Sequence, residues 1–154
     1  MTVAPESVPV SASGLPAAVA ALRARGLRVS AARRVVLEAL FAADGPATAD
    51  ELASGIDGFV PESDLASVYR NLETLESIGL VRHVHFGHGA GRYVLSEVAD
   101  RGYVYCQRCG AFDQLSTETL DALRAVVREG TTYEPRFTHF PIGGVCASCR
   151  EDAP

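Results

Sequence analysis

Residues 64–95 read DLASVYRNLETLESIGLVRHVHFGHGAGRYVL. Leu65, Val68, Leu72 and Leu75 recur at helical spacing, so Asp64 to Ile78 is expected to form a helix with one apolar face, stopped by Gly79. Val81–Phe86 and Arg92–Leu95 then read as two strands, joined by the flexible loop Gly87-His88-Gly89-Ala90-Gly91. Upstream, Leu15, Val19 and Leu22 mark a helix over Leu15–Arg25 that ends at Gly26. Ser30 is placed to cap the next helix, whose buried stripe is Val35, Val36, Leu37 and Leu40. Asp44-Gly45-Pro46 breaks that helix, and Thr48-Ala49-Asp50-Glu51 reads as a capping box for a short helix through Ile56. Gly58 and Pro61 make the following turn. Helices followed by a hairpin make a winged helix, in which the helix opened at Asp64 enters the DNA major groove. A helical bundle carrying an incidental hairpin has the same pattern.

The second half turns on its cysteines. Cys106/Cys109 and Cys146/Cys149 are the only cysteines in the chain. Each Cys-x-x-Cys pair puts two thiolates on one tight turn, and two such turns complete a closed, structural four-cysteine zinc site. Two disulfides, or four buried free thiols, are the alternatives. Tyr103–Cys106 and Ala111–Leu115 read as strands flanking the first turn. Ser116 caps a helix to about Arg128 with Leu120, Leu123, Val126 and Val127 apolar, and Phe137–Ile142 reads as a last strand into the second turn. So small a sheet needs zinc or a partner subunit to stand. The expected class is α+β: a tail at 1–14, a winged helix-turn-helix domain at 15–95, a hinge at 96–102, and a small α/β dimerisation domain with the four-cysteine zinc site at 103–154.

Composition narrows the function. With 47% hydrophobic and 21% charged residues over 154 positions, the chain is globular. No apolar run approaches a membrane-spanning length, so no membrane partner is expected. The first 14 residues lack the basic and apolar regions of a signal peptide, which points to a cytoplasmic, reducing compartment and again to metal over disulfide. A net charge of −5 argues against a simple basic DNA binder. Yet Arg23, Arg25, Arg28, Arg33 and Arg34 share a stretch with no acidic residue, a local patch able to neutralise phosphates. No nucleophile–base motif or phosphate loop is present, so an enzyme is not expected.

From about residue 18 to 150 the chain resembles the ferric uptake regulator (Fur) family of bacterial metal-dependent repressors. The resemblance rests on Gly26-Leu27-Arg28-Val29-Ser30 with Arg33, Ser67-Val68-Tyr69-Arg70-Asn71-Leu72, Gly79-Leu80-Val81, Arg92-Tyr93 and both cysteine pairs. It implies a homodimer that binds double-stranded operator DNA. It places Ser67, Tyr69 and Arg70 on the recognition helix, and brings Arg28 and Arg33 towards the DNA backbone or minor groove.

One departure bears on metal sensing. Most members carry a His-rich run just before the first cysteine pair, where this chain has Val98-Ala99-Asp100-Arg101-Gly102-Tyr103. Its four histidines are His83, His85, His88 and His139. Their segments are similar to the nickel-responsive (Nur) branch, which implies that His83, His85 and His139 hold a regulatory nickel; His88 also matches a histidine of that branch. On a strand, residues at i and i+2 share a face, so His83 and His85 would present their imidazoles together. Neutral imidazole suits Ni and Zn alike, so a zinc-responsive (Zur-like) repressor is the neighbouring reading. A solvated wing face and a lone hydrogen-bonding His139 are the plain alternative. A metal shared by wing and second domain would favour the DNA-competent geometry. The competing functions are a zinc-stabilised DNA-binding regulator that senses no metal, and a zinc-ribbon adaptor that docks a protein.

Overall fold

The computed structural model describes residues 10–55, 60–99, 101–136 and 141–151. The chain divides into two compact units, one formed by residues 1–83 and 91–98, the other by 84–90 and 99–154.

In the first unit, local capping chemistry sets where the helices begin. Gly14 precedes α1 (Leu15–Ala24), and Ser30 caps α2 (Ala31–Ala42) by accepting from the Arg33 amide. Thr48 opens α3 (Ala49–Ala53) with a complete capping box, its hydroxyl accepting from Glu51 N and its own amide donating to the Glu51 carboxylate at 2.7 Å. Asp64 caps α4 (Leu65–Ser77) through the Ser67 amide. Both α1 and α4 end in the same reversed turn: Leu27 N donates to Leu22 O, and Leu80 N donates to Leu75 O, around Gly26 and Gly79 at φ 71° and 77°. Only glycine takes that left-handed conformation without strain.

A three-stranded sheet, order β1-β3-β2, follows from β1 (Ala47–Thr48), β2 (Val81–Val84) and β3 (Arg92–Leu95). The two-residue β1 was not expected from the sequence; it pairs antiparallel with β3, Ala47 opposite Tyr93. Arg92 reinforces the pairing, donating to Pro46 O and to the capping-box carboxylate of Glu51, both at 3.0 Å. The core gathers the apolar faces of α1, α2 and α4 at Leu22, Leu37, Val68, Leu72 and Leu75, with Leu80 just past α4, all fully buried. Each contributes roughly 1.5–3 kcal/mol of burial. The expected hinge begins as a helical turn, α5 (Ser96–Ala99), and the Ser96 hydroxyl donates to Gly79 O at 2.6 Å.

The second unit is a sheet of order β5-β4-β6, with β4 (Tyr103–Cys106) antiparallel to β5 (Phe112–Gln114) and parallel to β6 (Ile142–Gly144). The expected last strand at 137–142 largely falls outside the described residues, and the described strand runs on to Gly144. Ser116 caps α6 (Thr117–Gly130), as expected. Of its apolar positions only Leu120 is buried, packed where a Cβ on Gly102 would meet it at 2.4 Å. A short α7 (Ala147–Glu151), absent from the sequence reading, is the last described element.

Phe86 marks another difference. The strand expected to reach it ends at Val84, and Phe86 is buried in the second unit. Its ring stacks on Phe112 at 4.9 Å and meets Tyr103 and Tyr105 edge-on. Such aromatic pairs add about 0.5–1.5 kcal/mol each beyond burial.

Candidate metal centre and nucleic-acid interface

Two tight turns bring the four cysteines together. Cys106 ends β4; its amide donates to Ala111 O at 2.7 Å and its carbonyl accepts from Gly110 N at 2.9 Å. Register places Cys106 opposite Gly144, so β6 delivers Cys146 beside it, and α7 then turns Cys149 back. Gln107 N donates to Gly144 O, and the Arg108 guanidinium donates to Cys149 O at 2.7 Å, tying one turn to the other. All four Sγ atoms lie within 4.8 Å of one another, and all four cysteines are free thiols, which excludes the disulfide alternative. Cys109 is exposed, so the cluster is not four buried thiols either.

The cluster fits zinc. A tetrahedron with Zn–S near 2.3 Å has S···S edges of about 3.8 Å; Cys109 Sγ and Cys146 Sγ stand 3.8 Å apart. The electrostatics agree. Backbone N–H groups of Cys146 and then Cys109 pull the Cys106 thiol down to about 6. The Cys146 amide lies 3.4 Å from Cys106 Sγ. Cys149 is pushed the other way, to about 12, first by its hydrogen bond with the Cys146 side chain and then by burial. One thiolate is favoured and further ones are opposed, because like charges crowd the same point. Cys106, Cys109, Cys146 and Cys149 would hold a divalent cation at that point, whose charge would offset the opposition and favour all four thiolates.

The histidines are placed less completely. His83 lies on β2, half-buried, with Nδ1 against Glu76 Oε1 of α4. The Tyr93 ring stands 6.4 Å away, its phenol pushed up by burial and then by the Glu76 carboxylate. Glu76 escaped the sequence reading, although it lies seven residues before His83, where a helix end turning into a strand can fold back on itself. His85 is half-buried just past the end of β2, and His88 is exposed in the loop. His139 lies outside the described residues. The division between units falls between His83 and Val84. Among the described residues, the cysteines are the one group of three or more potential ligands that converges on a metal-sized point.

On α4, Tyr69 and Arg70 are exposed, at 40% for Tyr69 and 71% for the Arg70 side chain. The opposite face, Val68, Asn71, Leu72 and Leu75, is buried. Arg70 lies 4.0 Å from the capping carboxylate of Asp64. Ser67 is half-buried near the start of the helix, and Arg28 is exposed in the loop before α2. Arg33 is half-buried and turned inward: Nε donates to Asn71 Oδ1 at 3.1 Å and Nη1 donates to Arg28 O.

Comparison with known proteins bears on both features. The sequence profile of the ferric uptake regulator family matches residues 24–136. A peroxide-responsive repressor, PerR, of Staphylococcus epidermidis is 25% identical over 138 residues, covering 90% of this chain and 91% of its own. The ferric uptake regulator of Helicobacter pylori superposes with a TM-score of 0.70 at 18% identity, over 92% of this chain and 97% of its own, a likeness of fold. A zinc uptake regulator solved with zinc and DNA superposes with a TM-score of 0.54 at 25% identity, over 89% of this chain and 93% of its own. With the profile matched over most of its length, on a capped helix followed by a wing and a four-thiol cluster, the chain belongs to the ferric uptake regulator family of metal-responsive transcriptional regulators.

Proposed function

We propose that the chain is a homodimeric repressor that binds operator DNA when a regulatory metal, nickel, is held by His83, His85 and His139, while a zinc ion on Cys106, Cys109, Cys146 and Cys149 is structural. The observation that carries the DNA-binding part is α4. It is anchored through one fully buried face, capped at its start by Asp64, and leaves Tyr69 and Arg70 exposed on the other side. A rigid helix presenting an arginine and an aromatic is suited to reading base edges, Arg70 by its fork against guanine and Tyr69 by apolar contact. Ser67 and the exposed Arg28 would add contacts to the backbone.

The sensing part rests on the histidine pattern and on Glu76. A carboxylate on Nδ1 holds the imidazole in one orientation and sets Nε2 as the coordinating nitrogen, the usual support of a ligating histidine. Because Glu76 belongs to the last turn of α4, a ligand set that includes His83 is connected to the recognition helix through one hydrogen bond. His83, His85 and His139 would hold the nickel, which would supply a positive charge; the chain supplies the element whose position that charge would favour. A tenfold gain in DNA affinity needs only about 1.4 kcal/mol of coupling.

Zinc is the second reading for the regulatory metal. The zinc uptake regulator at 25% identity was solved with zinc and DNA, and three imidazoles suit zinc as well as nickel. The test is metal content per subunit after purification and after addition of nickel or zinc, paired with affinity for a duplex selected by the protein from a random pool. A second metal that tightens binding supports the repressor. Full affinity with no second metal bound would leave the non-sensing regulator as the better account.

A further inference from the structure

Arg33 is engaged on three sides by protein. Its amide donates to the Ser30 cap, Nη1 donates to the carbonyl of Arg28, and Nε donates to Asn71 Oδ1, 38 positions along the chain. Asn71 is 7% exposed, on the inner face of α4. Its other amide end is also satisfied, Nδ2 donating to Ser67 O at 2.9 Å. That assignment is self-consistent: a guanidinium can only donate, so it requires the amide oxygen, and the carbonyl of Ser67 requires the amide nitrogen. One planar fork therefore joins the loop that carries Arg28 to the helix that carries Tyr69 and Arg70.

We infer that Arg33 is a positioning residue for DNA recognition: through Asn71 and the Arg28 carbonyl, it sets where the recognition helix stands relative to the Arg28 loop, and it does so from behind the DNA-facing surface. The inference rests on the docking face proposed above and replaces the DNA contact that the family resemblance implies for Arg33. An arginine that reaches a phosphate contributes charge to any DNA, specific or not. An arginine that sets the distance between two contacts matters only where both contacts must register with one sequence. The two roles differ in what they do to salt dependence and to non-specific binding.

The probes are a duplex selected from a random pool by the metal-loaded wild-type protein and a scrambled duplex of the same length. Arg33→Gln removes the charge, Arg33→Lys keeps the charge and loses the fork, and Asn71→Leu removes the buried amide at similar volume. Each variant is expected to bind the selected duplex about ten- to a hundredfold more weakly, the scale of a charge-assisted hydrogen bond. Each should bind the scrambled duplex as wild type does, with an unchanged slope of log affinity against log salt. Intact non-specific affinity is a readout that a misfolded variant would not preserve. The Arg33→Gln/Asn71→Leu double variant should be no weaker than either single one, since both break one link. The role is overturned if Arg33→Lys behaves as wild type while Arg33→Gln weakens both duplexes and lowers the salt slope by about one, the mark of a phosphate contact. It is also overturned if Asn71→Leu leaves the selected duplex bound as before. Arg70→Ala separates this from the docking face itself. Loss of binding there with wild-type behaviour in the Arg33 variants sinks the positioning role alone; wild-type affinity in Arg70→Ala removes the docking face, and the positioning role with it.

Discussion

Arg70 and Arg28 test the proposed DNA-facing surface in different ways. Both are exposed, but Arg70 stands on a helix locked by its buried face, whereas Arg28 stands in a loop. Arg70→Ala is expected to cost about 1–3 kcal/mol on the selected duplex, the worth of a bidentate base contact. Arg28→Ala should weaken selected and scrambled duplexes alike and reduce the salt slope. Fluorescence anisotropy over a salt series measures both. At the same scale, His83→Ala, His85→Ala and His139→Ala should each leave zinc content unchanged and abolish the gain in DNA affinity on adding nickel. Glu76→Gln keeps a hydrogen bond to His83 but removes the charge, and should weaken the regulatory metal about 10–100-fold, the usual effect of losing such support. Retained metal-dependent binding in a His83/His139 double variant would sink the sensing site. These candidate ligands were legible as a pattern of histidines, but Glu76 was not, because nothing in a single glutamate on a polar helix position distinguishes it from a solvated charge.

Helix boundaries were the most legible part of the fold. Ser30, Thr48 with Glu51, and Ser116 each carry the oxygen that the next turn's amide needs, so the cap is a local decision taken within four residues. Gly79 joins two elements at once. It ends α4 at φ 77°, and its carbonyl accepts from Ser96 Oγ at the start of α5 and from Val10 N. Gly79→Ala forces a Cβ into the left-handed region and should destabilise the first unit by about 1–2 kcal/mol, read as a lowered thermal midpoint with zinc content unchanged. An unaltered midpoint would show that the turn relaxes into another conformation. Strands were less legible than helices. The two-residue β1 carries no periodicity of its own and exists because β3 lies opposite it. Strand β2 stops short at Val84 because Phe86 is drawn into the aromatic cluster of Tyr103, Tyr105 and Phe112, a preference no alternation pattern records.

Across the whole molecule, the division into two units makes stability separable. Among the described residues, the second unit has a three-stranded sheet of ten residues and a helix that buries one apolar residue, so the core they form is thin. Zinc at the thiols would contribute folding free energy there directly. Cys106→Ser should remove one tightly held zinc per subunit and lower the stability of the second unit, leaving the helical unit folded; two calorimetric transitions, one of them zinc-dependent, would show it. A variant that keeps full zinc stoichiometry and dimerises normally would mean the site is misassigned. The sequence by itself determined the helices, their caps, and the cysteine spacing that admits a tetrahedral ion, since each depends on residues a few positions apart. Only the tertiary structure decided that Cys109 and Cys146 meet at 3.8 Å, that Glu76 turns to His83, and that Arg33 donates to Asn71. Those contacts join residues whose partners are chosen by how packed elements cross, and a residue's type states what bonds it can make but not which distant atom the fold will bring to it.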